Sequence, residues 1–158
     1  MGIRFEFDGI ACSACGACSI ACMDQNDIDV ESGQAPYRRV RLIERERDHL
    51  YLSEACRHCP DAPCIAACRF HCIWKDPETG LTLYDNAKCV GCRACARKCP
   101  YDAVTFRPTG LARPKVRMEK CTGCIERIRA GLQPACVQAC PTGALRCIQE
   151  QASPDPNS

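Results

Sequence analysis

Apolar positions in this chain come in brief alternating runs and never in a long helical stripe. Alternation at period two marks segments 5–7, 37–43, 50–52, 81–84, 104–106, 116–118 and 144–148 as short strands. Helices are expected only as short pieces following the last cysteine of some of the cysteine groups described below. The clearest covers 125–130, inside the insertion of the fourth group, where Gly131 supplies a stop. No stretch reaches the roughly 18 uninterrupted apolar residues of a membrane-spanning helix, so any contact with a membrane is expected through a partner and not by direct insertion. The last segment, 151–158, is polar and rich in proline, and is expected to be disordered.

Composition changes this picture in one respect. The chain has 158 residues, of which only 6% are aromatic, while Gly (10) and Pro (11) are plentiful. That is a poor inventory for a packed core in a small protein. Cysteine, at 18 residues, far exceeds ordinary usage and takes over as the scaffold. The net charge of +2 argues against a strongly electrostatic nucleic-acid binder. Arg38, Arg39, Arg41, Arg45 and Arg47 alternate with Glu44, Glu46 and Asp48, which reads as a solvated strand face.

The cysteines fall into four groups. They are Cys12-x2-Cys15-x2-Cys18-x3-Cys22, Cys56-x2-Cys59-x4-Cys64-x3-Cys68, Cys89-x2-Cys92-x2-Cys95-x3-Cys99-Pro100 and Cys121-x2-Cys124-x11-Cys136-x3-Cys140-Pro141. Each ends in Cys-x3-Cys, which points to one structural device used four times. Three chemistries use so many cysteines: disulfides, zinc and iron-sulfur clusters. Cysteines two or three apart make poor disulfides, and the N-terminal residues carry no secretory pattern, so a reducing cytoplasm is expected. Structural zinc closes on two pairs, and triple runs leave cysteines over in that scheme. The third group matches the bacterial ferredoxin run, in which the fourth cysteine, followed by proline, ligates the other cluster of a pair. The reading is four [4Fe-4S] clusters, with a zinc-stabilised interaction module as the remote alternative.

Four groups of four leave Cys72 and Cys147 over. Both read as small core residues, although Cys72 continues the x3 spacing of Cys64 and Cys68 and is a second candidate for the ligand role of Cys68. His58 and His71 read as polar neighbours that tune a cluster by hydrogen bonding, and Trp74 as a core anchor. Arg57, Arg93, Arg97 and Lys98 stand among the ligands, as solvated side chains or as charges that raise potentials. No nucleotide fingerprint, phosphate loop or paired-carboxylate site is present, so no catalytic residue is assigned.

In this order, the four groups resemble the four-cluster ferredoxin-like electron-transfer subunit of molybdenum and tungsten pterin oxidoreductases, of the dimethyl sulfoxide reductase type. The stretch 120–145 carries the resemblance most specifically, opening on Lys120-Cys121-Thr122-Gly123-Cys124 and closing on Ala139-Cys140-Pro141. Pro63-Cys64 adds to it. The resemblance implies an α+β fold of two ferredoxin-like bicluster modules, one nested in the other: an outer module of 1–48 plus 108–150 and an inserted module of 49–107. It also implies crossed ligation. One cluster takes Cys12, Cys15, Cys18 and Cys140, and its neighbour Cys121, Cys124, Cys136 and Cys22. A third takes Cys56, Cys59, Cys64 and Cys99, and a fourth Cys89, Cys92, Cys95 and Cys68.

The expected role is an electron relay without substrate chemistry of its own. It would link a pterin catalytic subunit to a second redox partner that is flavin, NAD-linked, quinone-linked or ferredoxin. The partner enzyme is expected to be cytoplasmic, such as a tungsten aldehyde oxidoreductase, with periplasmic co-export on a partner as the alternative. Self-stacking would lengthen the wire. A stand-alone polyferredoxin or cluster-bearing maturation factor is the rival class.

Overall fold

A computed structural model describes residues 2–46, 48–109 and 115–150. The segment expected to be disordered, 151–158, and Arg47 of the charged strand lie outside the described residues.

Among the described residues the eight strands pair as four separate antiparallel ribbons. β1 (Gly2–Phe7) runs against β8 (Leu145–Glu150), joining the two ends of the chain with Phe5 opposite Cys147. β2 (Arg39–Arg45) and β3 (Asp48–Glu54) form a hairpin. β4 (Ile73–Lys75) pairs with β5 (Thr82–Tyr84), and β6 (Val104–Thr109) with β7 (Lys115–Lys120). All seven strands expected from alternation are present. β4 was not foreseen, because three residues are too few to establish a period.

The helices are short: α1 (Ala17–Gln25), α2 (Pro63–Ala66), α3 (Ala94–Lys98), α4 (Ile125–Arg129) and α5 (Ala135–Gln138), with one 3-10 turn at Asn86–Lys88. They correct the expectation that helices follow the last cysteine of a group. Four of the five instead carry the third cysteine, and three stop at or just before the fourth. Proline explains two of these stops: the residue before a proline is pushed out of helical conformation, so α3 and α5 end ahead of Cys99-Pro100 and Cys140-Pro141. Group one has Met23 in that place, and α1 runs on to Gln25.

Three small cores result among the described residues. One gathers Ala62, Cys64, Cys72, Ile73, Cys95, Val104 and Met118; another Ile3, Leu81, Leu83 and Ile125; the third Cys22, Ile28 and Tyr37. The β4–β5 ribbon lies between the first two, sending Ile73 into one and Leu83 into the other. Trp74 is therefore not the core anchor expected of it. It shares Leu83's face of the ribbon, but Leu83 makes the packing contact and Trp74 stays 41% exposed.

Candidate metal centres

All eighteen cysteines lie within the described residues, and all are free thiols. Their local geometry repeats. In the first Cys-x2-Cys of each group the residue before the second cysteine has positive φ: Ala14 at 55°, His58 at 49°, Gly91 at 73° and Gly123 at 71°. This conformation turns a backbone N–H back onto the first sulfur. Ala14 N donates to Cys12 Sγ at 3.4 Å, Gly91 N to Cys89 Sγ at 3.4 Å and Gly123 N to Cys121 Sγ at 3.2 Å. Such donors stabilise thiolate over thiol.

The Cys-x3-Cys ending has its own logic. Only in α1 do both cysteines, Cys18 and Cys22, sit on the helix, separated along its axis by about 6 Å; in the other groups the helix stops before the fourth cysteine. In this structure the third and fourth sulfurs of each group line different cavities. The structure gathers the sulfurs around four small cavities. Cys12, Cys15, Cys18 and Cys140 line the first, and Cys22, Cys121, Cys124 and Cys136 the second. Cys56, Cys59, Cys64 and Cys99 line the third, and Cys68, Cys72, Cys89, Cys92 and Cys95 the fourth. Cys147 lines none of them and packs beside Ile3 and Leu83 from β8. Among the described residues no three Cys, His, Asp or Glu side chains converge tightly enough for a single metal ion. The donors stand back around a space instead.

The fourth cavity holds five cysteines, and hydrogen bonding distinguishes two of them. Cys72 N donates to Cys68 Sγ at 3.3 Å, just as Ala103 N donates to Cys99 Sγ at 3.5 Å. Ala144 supplies the corresponding N–H to Cys140. The residue between also repeats, with positive φ at His71, Asp102 and Gly143. Cys72 thus occupies the place of a buried alanine. It is 1% exposed, and burial pushes its thiol up to about 12.

Burial also pushes up the thiols of Cys22, to about 12, and of Cys95, to about 11, and it raises Cys64, Cys121, Cys124 and Cys136. At Cys140 burial works upward but is outweighed by N–H donors from Leu145 and Thr142 and by the Thr142 hydroxyl, which leave the thiol below its ordinary value. Metal ligation requires thiolate, so the buried sulfurs need positive partners.

Two such partners escaped the sequence reading. Arg38, taken as part of a solvated face, is only 4% exposed and lines the second cavity. Its Nη1 donates to Ser53 O at 3.2 Å and to Ser53 Oγ at 3.1 Å. Burial opposes its charge, and the sulfurs of Cys136, Cys121 and Cys18 more than offset that. Lys120 is fully buried and lines the third cavity. The one available signal was Lys120's position directly before Cys121. The cations singled out from sequence lie at the surface: Arg57 over the Tyr101 ring, Arg93 over the Phe106 ring, Arg97 donating to Cys92 O at 3.1 Å, and Lys98 exposed. His58 is buried and its Nδ1 accepts from Thr82 N at 3.0 Å. Burial, then Lys120, Lys75 and Arg38, hold it well below its ordinary value and therefore neutral. His71 is exposed.

Residues 47–150 match the family described as the 4Fe-4S dicluster domain. The protein belongs to that family. Its cofactors are [4Fe-4S] clusters, and the all-sulfur donor sets with their N–H donors and buried cations fit them. It is 32% identical over 151 residues to the B subunit of the anaerobic dimethyl sulfoxide reductase of Haemophilus influenzae, covering 89% of this protein and 71% of the relative. It is 30% identical over 190 residues to the arsenate respiratory reductase iron-sulfur subunit of a Shewanella species, covering 91% and 80%. Against the thiosulfate reductase electron transfer subunit of Salmonella typhi it is 34% identical over 141 residues, covering 85% and 69%.

Proposed function

We propose that this protein is the electron-relay subunit of a pterin oxidoreductase, passing electrons through four [4Fe-4S] clusters held by sixteen of its cysteines. The ligand sets are Cys12, Cys15, Cys18 and Cys140; Cys22, Cys121, Cys124 and Cys136; Cys56, Cys59, Cys64 and Cys99; and Cys68, Cys89, Cys92 and Cys95. The observation that carries this reading is the membership of the four cavities, each mixing three sulfurs of one group with the last sulfur of another. Cys68 is preferred to Cys72 because it accepts a backbone N–H from four residues on, as Cys99 and Cys140 do. The names of the three relatives given above, each a reductase subunit, support the catalytic partner.

The same pairing supports two nested modules, 1–48 with 108–150 and 49–107. The β1–β8 ribbon closes the outer one across the two ends of the chain, while the β2–β3 and β6–β7 ribbons run across the boundaries and fix one module to the other. Within this reading the protein's work is positional: it places the clusters, excludes water and sets potentials through N–H donors and charge. The second partner is a flavin, NAD-linked, quinone-linked or ferredoxin protein.

The test is elemental analysis of the anaerobically isolated native assembly. Four cubes require sixteen irons and sixteen sulfides per copy of this protein, before any contributed by partners. Molybdenum or tungsten in step with it would support a pterin-enzyme subunit. Full iron with neither metal would assign a stand-alone polyferredoxin, and zinc with little iron would overturn the reading.

A further inference from the structure

We infer that Lys120 is a charge bridge between two clusters, one in each module, and that it raises the reduction potential of both. The inference rests on the ligand sets proposed above. Lys120 is 0% exposed at the end of β7. Its three ammonium protons have three acceptors. Nζ donates to Thr82 O, to Cys121 O at 2.8 Å and to Cys56 Sγ at 3.7 Å. Cys56 belongs to the third cavity and Cys121 to the second. One side chain thus links a ligand of one cluster to a ligand of the next, from sulfur through ammonium to carbonyl.

The energetics require an anion there. A buried ammonium surrounded only by neutral carbonyls is strongly disfavoured. Among the described residues no carboxylate lies within ion-pair distance of Lys120, and the negative charge left to match it is that of the two thiolate-ligated centres. One-electron reduction of either cluster adds one negative charge beside this fixed positive one, in a site from which water is excluded. The reduced form gains more from the cation than the oxidised form, and the potential rises.

The fourth cavity supplies the contrast. It is set against Met118 and Phe106, and its nearby cations, Arg93 and Arg97, are exposed, where solvent screens them. Lys120 is therefore expected to act on two clusters and leave the other two alone. The proposal depends on the position of a fixed charge and not on its titration.

The experiment is a potentiometric titration followed by electron paramagnetic resonance, on anaerobically isolated full-length protein in its native assembly. Wild type, K120Q and K120R are compared after iron and sulfide have been quantified in each. With full iron, K120Q should lower two of the four one-electron steps together, each by at least tenfold in equilibrium constant, which is about 59 mV for one electron. The other two steps should stay in place, K120R should retain the wild-type values, and added salt should not erase the shift, because a buried pair is poorly screened. Four steps moving alike, or none moving at full iron, would overturn the proposal. If K120Q fails to load, full loading of K120R still supports a charge requirement, whereas equal failure of both assigns Lys120 to packing and overturns the proposal. Wild type with fewer than sixteen irons would instead overturn the ligand sets.

Discussion

Replacing Gly91 with alanine tests the link between the ribbon and the cluster loop. Gly91 has φ +73°, and a Cβ built there falls 2.3 Å from Val116 O, a backbone atom, where ordinary contact begins at 3.4 Å. Gly16 is the control, since its φ is +76° and nothing lies within 4 Å of its Cβ. Left-handed conformation costs an alanine about 1 to 2 kcal/mol. For Gly16→Ala that is the whole effect. For Gly91→Ala, β7 must also move, and β7 carries Met118, whose N–H donates to Cys89 Sγ at 3.4 Å. Losing a hydrogen bond to a charged acceptor adds about 1.5 to 3 kcal/mol. The combined cost is roughly 3 to 5 kcal/mol. Since about 1.4 kcal/mol is a factor of ten, Gly91→Ala should release iron to a chelator at least ~100-fold faster than wild type, or fail to load its cluster, while Gly16→Ala stays within about thirtyfold. Gly123→Ala should fall between, because its Cβ meets Leu81 Cδ1 at 2.8 Å, the movable end of a side chain. Equal release from Gly91→Ala and Gly16→Ala would refute the reasoning.

Other outcomes follow from the same geometry. Cys72→Ala should keep sixteen irons, since alanine stands at the equivalent Ala103 and Ala144, whereas Cys68→Ala should lose the fourth cluster; iron analysis separates the two. Asp76→Asn should destabilise the β4–β5 ribbon by about 1 to 3 kcal/mol in denaturant at pH 7, because Asp76 accepts from Thr79 Oγ1 at 2.6 Å and pairs with Arg129 at 3.2 Å. Those Thr79 bonds, with Arg129, hold the carboxyl below its ordinary value, so its contribution is complete above the unfolded value of about 3.9 and fades only as pH falls through the lower folded one. The difference between wild type and Asp76→Asn should therefore be the same at pH 7 and pH 5. Anaerobic removal of iron should unfold the protein, seen as loss of the ribbon signal in circular dichroism, because its three apolar cores are small and are built partly from cysteine.

Comparison of particular residues shows where the sequence was sufficient. Spacing within each cysteine group is a local quantity, and a local turn executes it. Cys18 and Cys22 lie one helical turn apart on α1 whatever surrounds them, and alternation over 104–106 makes a strand wherever that segment packs. Gly131, at φ +74°, ends α4 where the sequence placed the stop. Chemistry follows just as directly, since sixteen cysteines in triple runs with a trailing fourth leave little room for zinc or disulfides.

What the tertiary structure decided is which distant pieces meet, and with what charge between them. Cys140 reaches the cavity of Cys12 because β8 returns along β1, a pairing no short-range pattern encodes. Trp74 lost its expected core place to Leu83, and Cys72 takes the buried place that Ala103 and Ala144 hold after Cys99 and Cys140, because occupancy of a site depends on neighbours far away in the sequence. Arg38 and Lys120 are the sharpest cases. Charge alternation assigns an arginine beside other charges to water, and only packing from elements on all sides makes it favourable to bury a cation against sulfur. The sequence specified the cysteine spacing and the turns that present the sulfurs, whereas the burial of positive charge between them was decided only when the ribbons closed around the cavities.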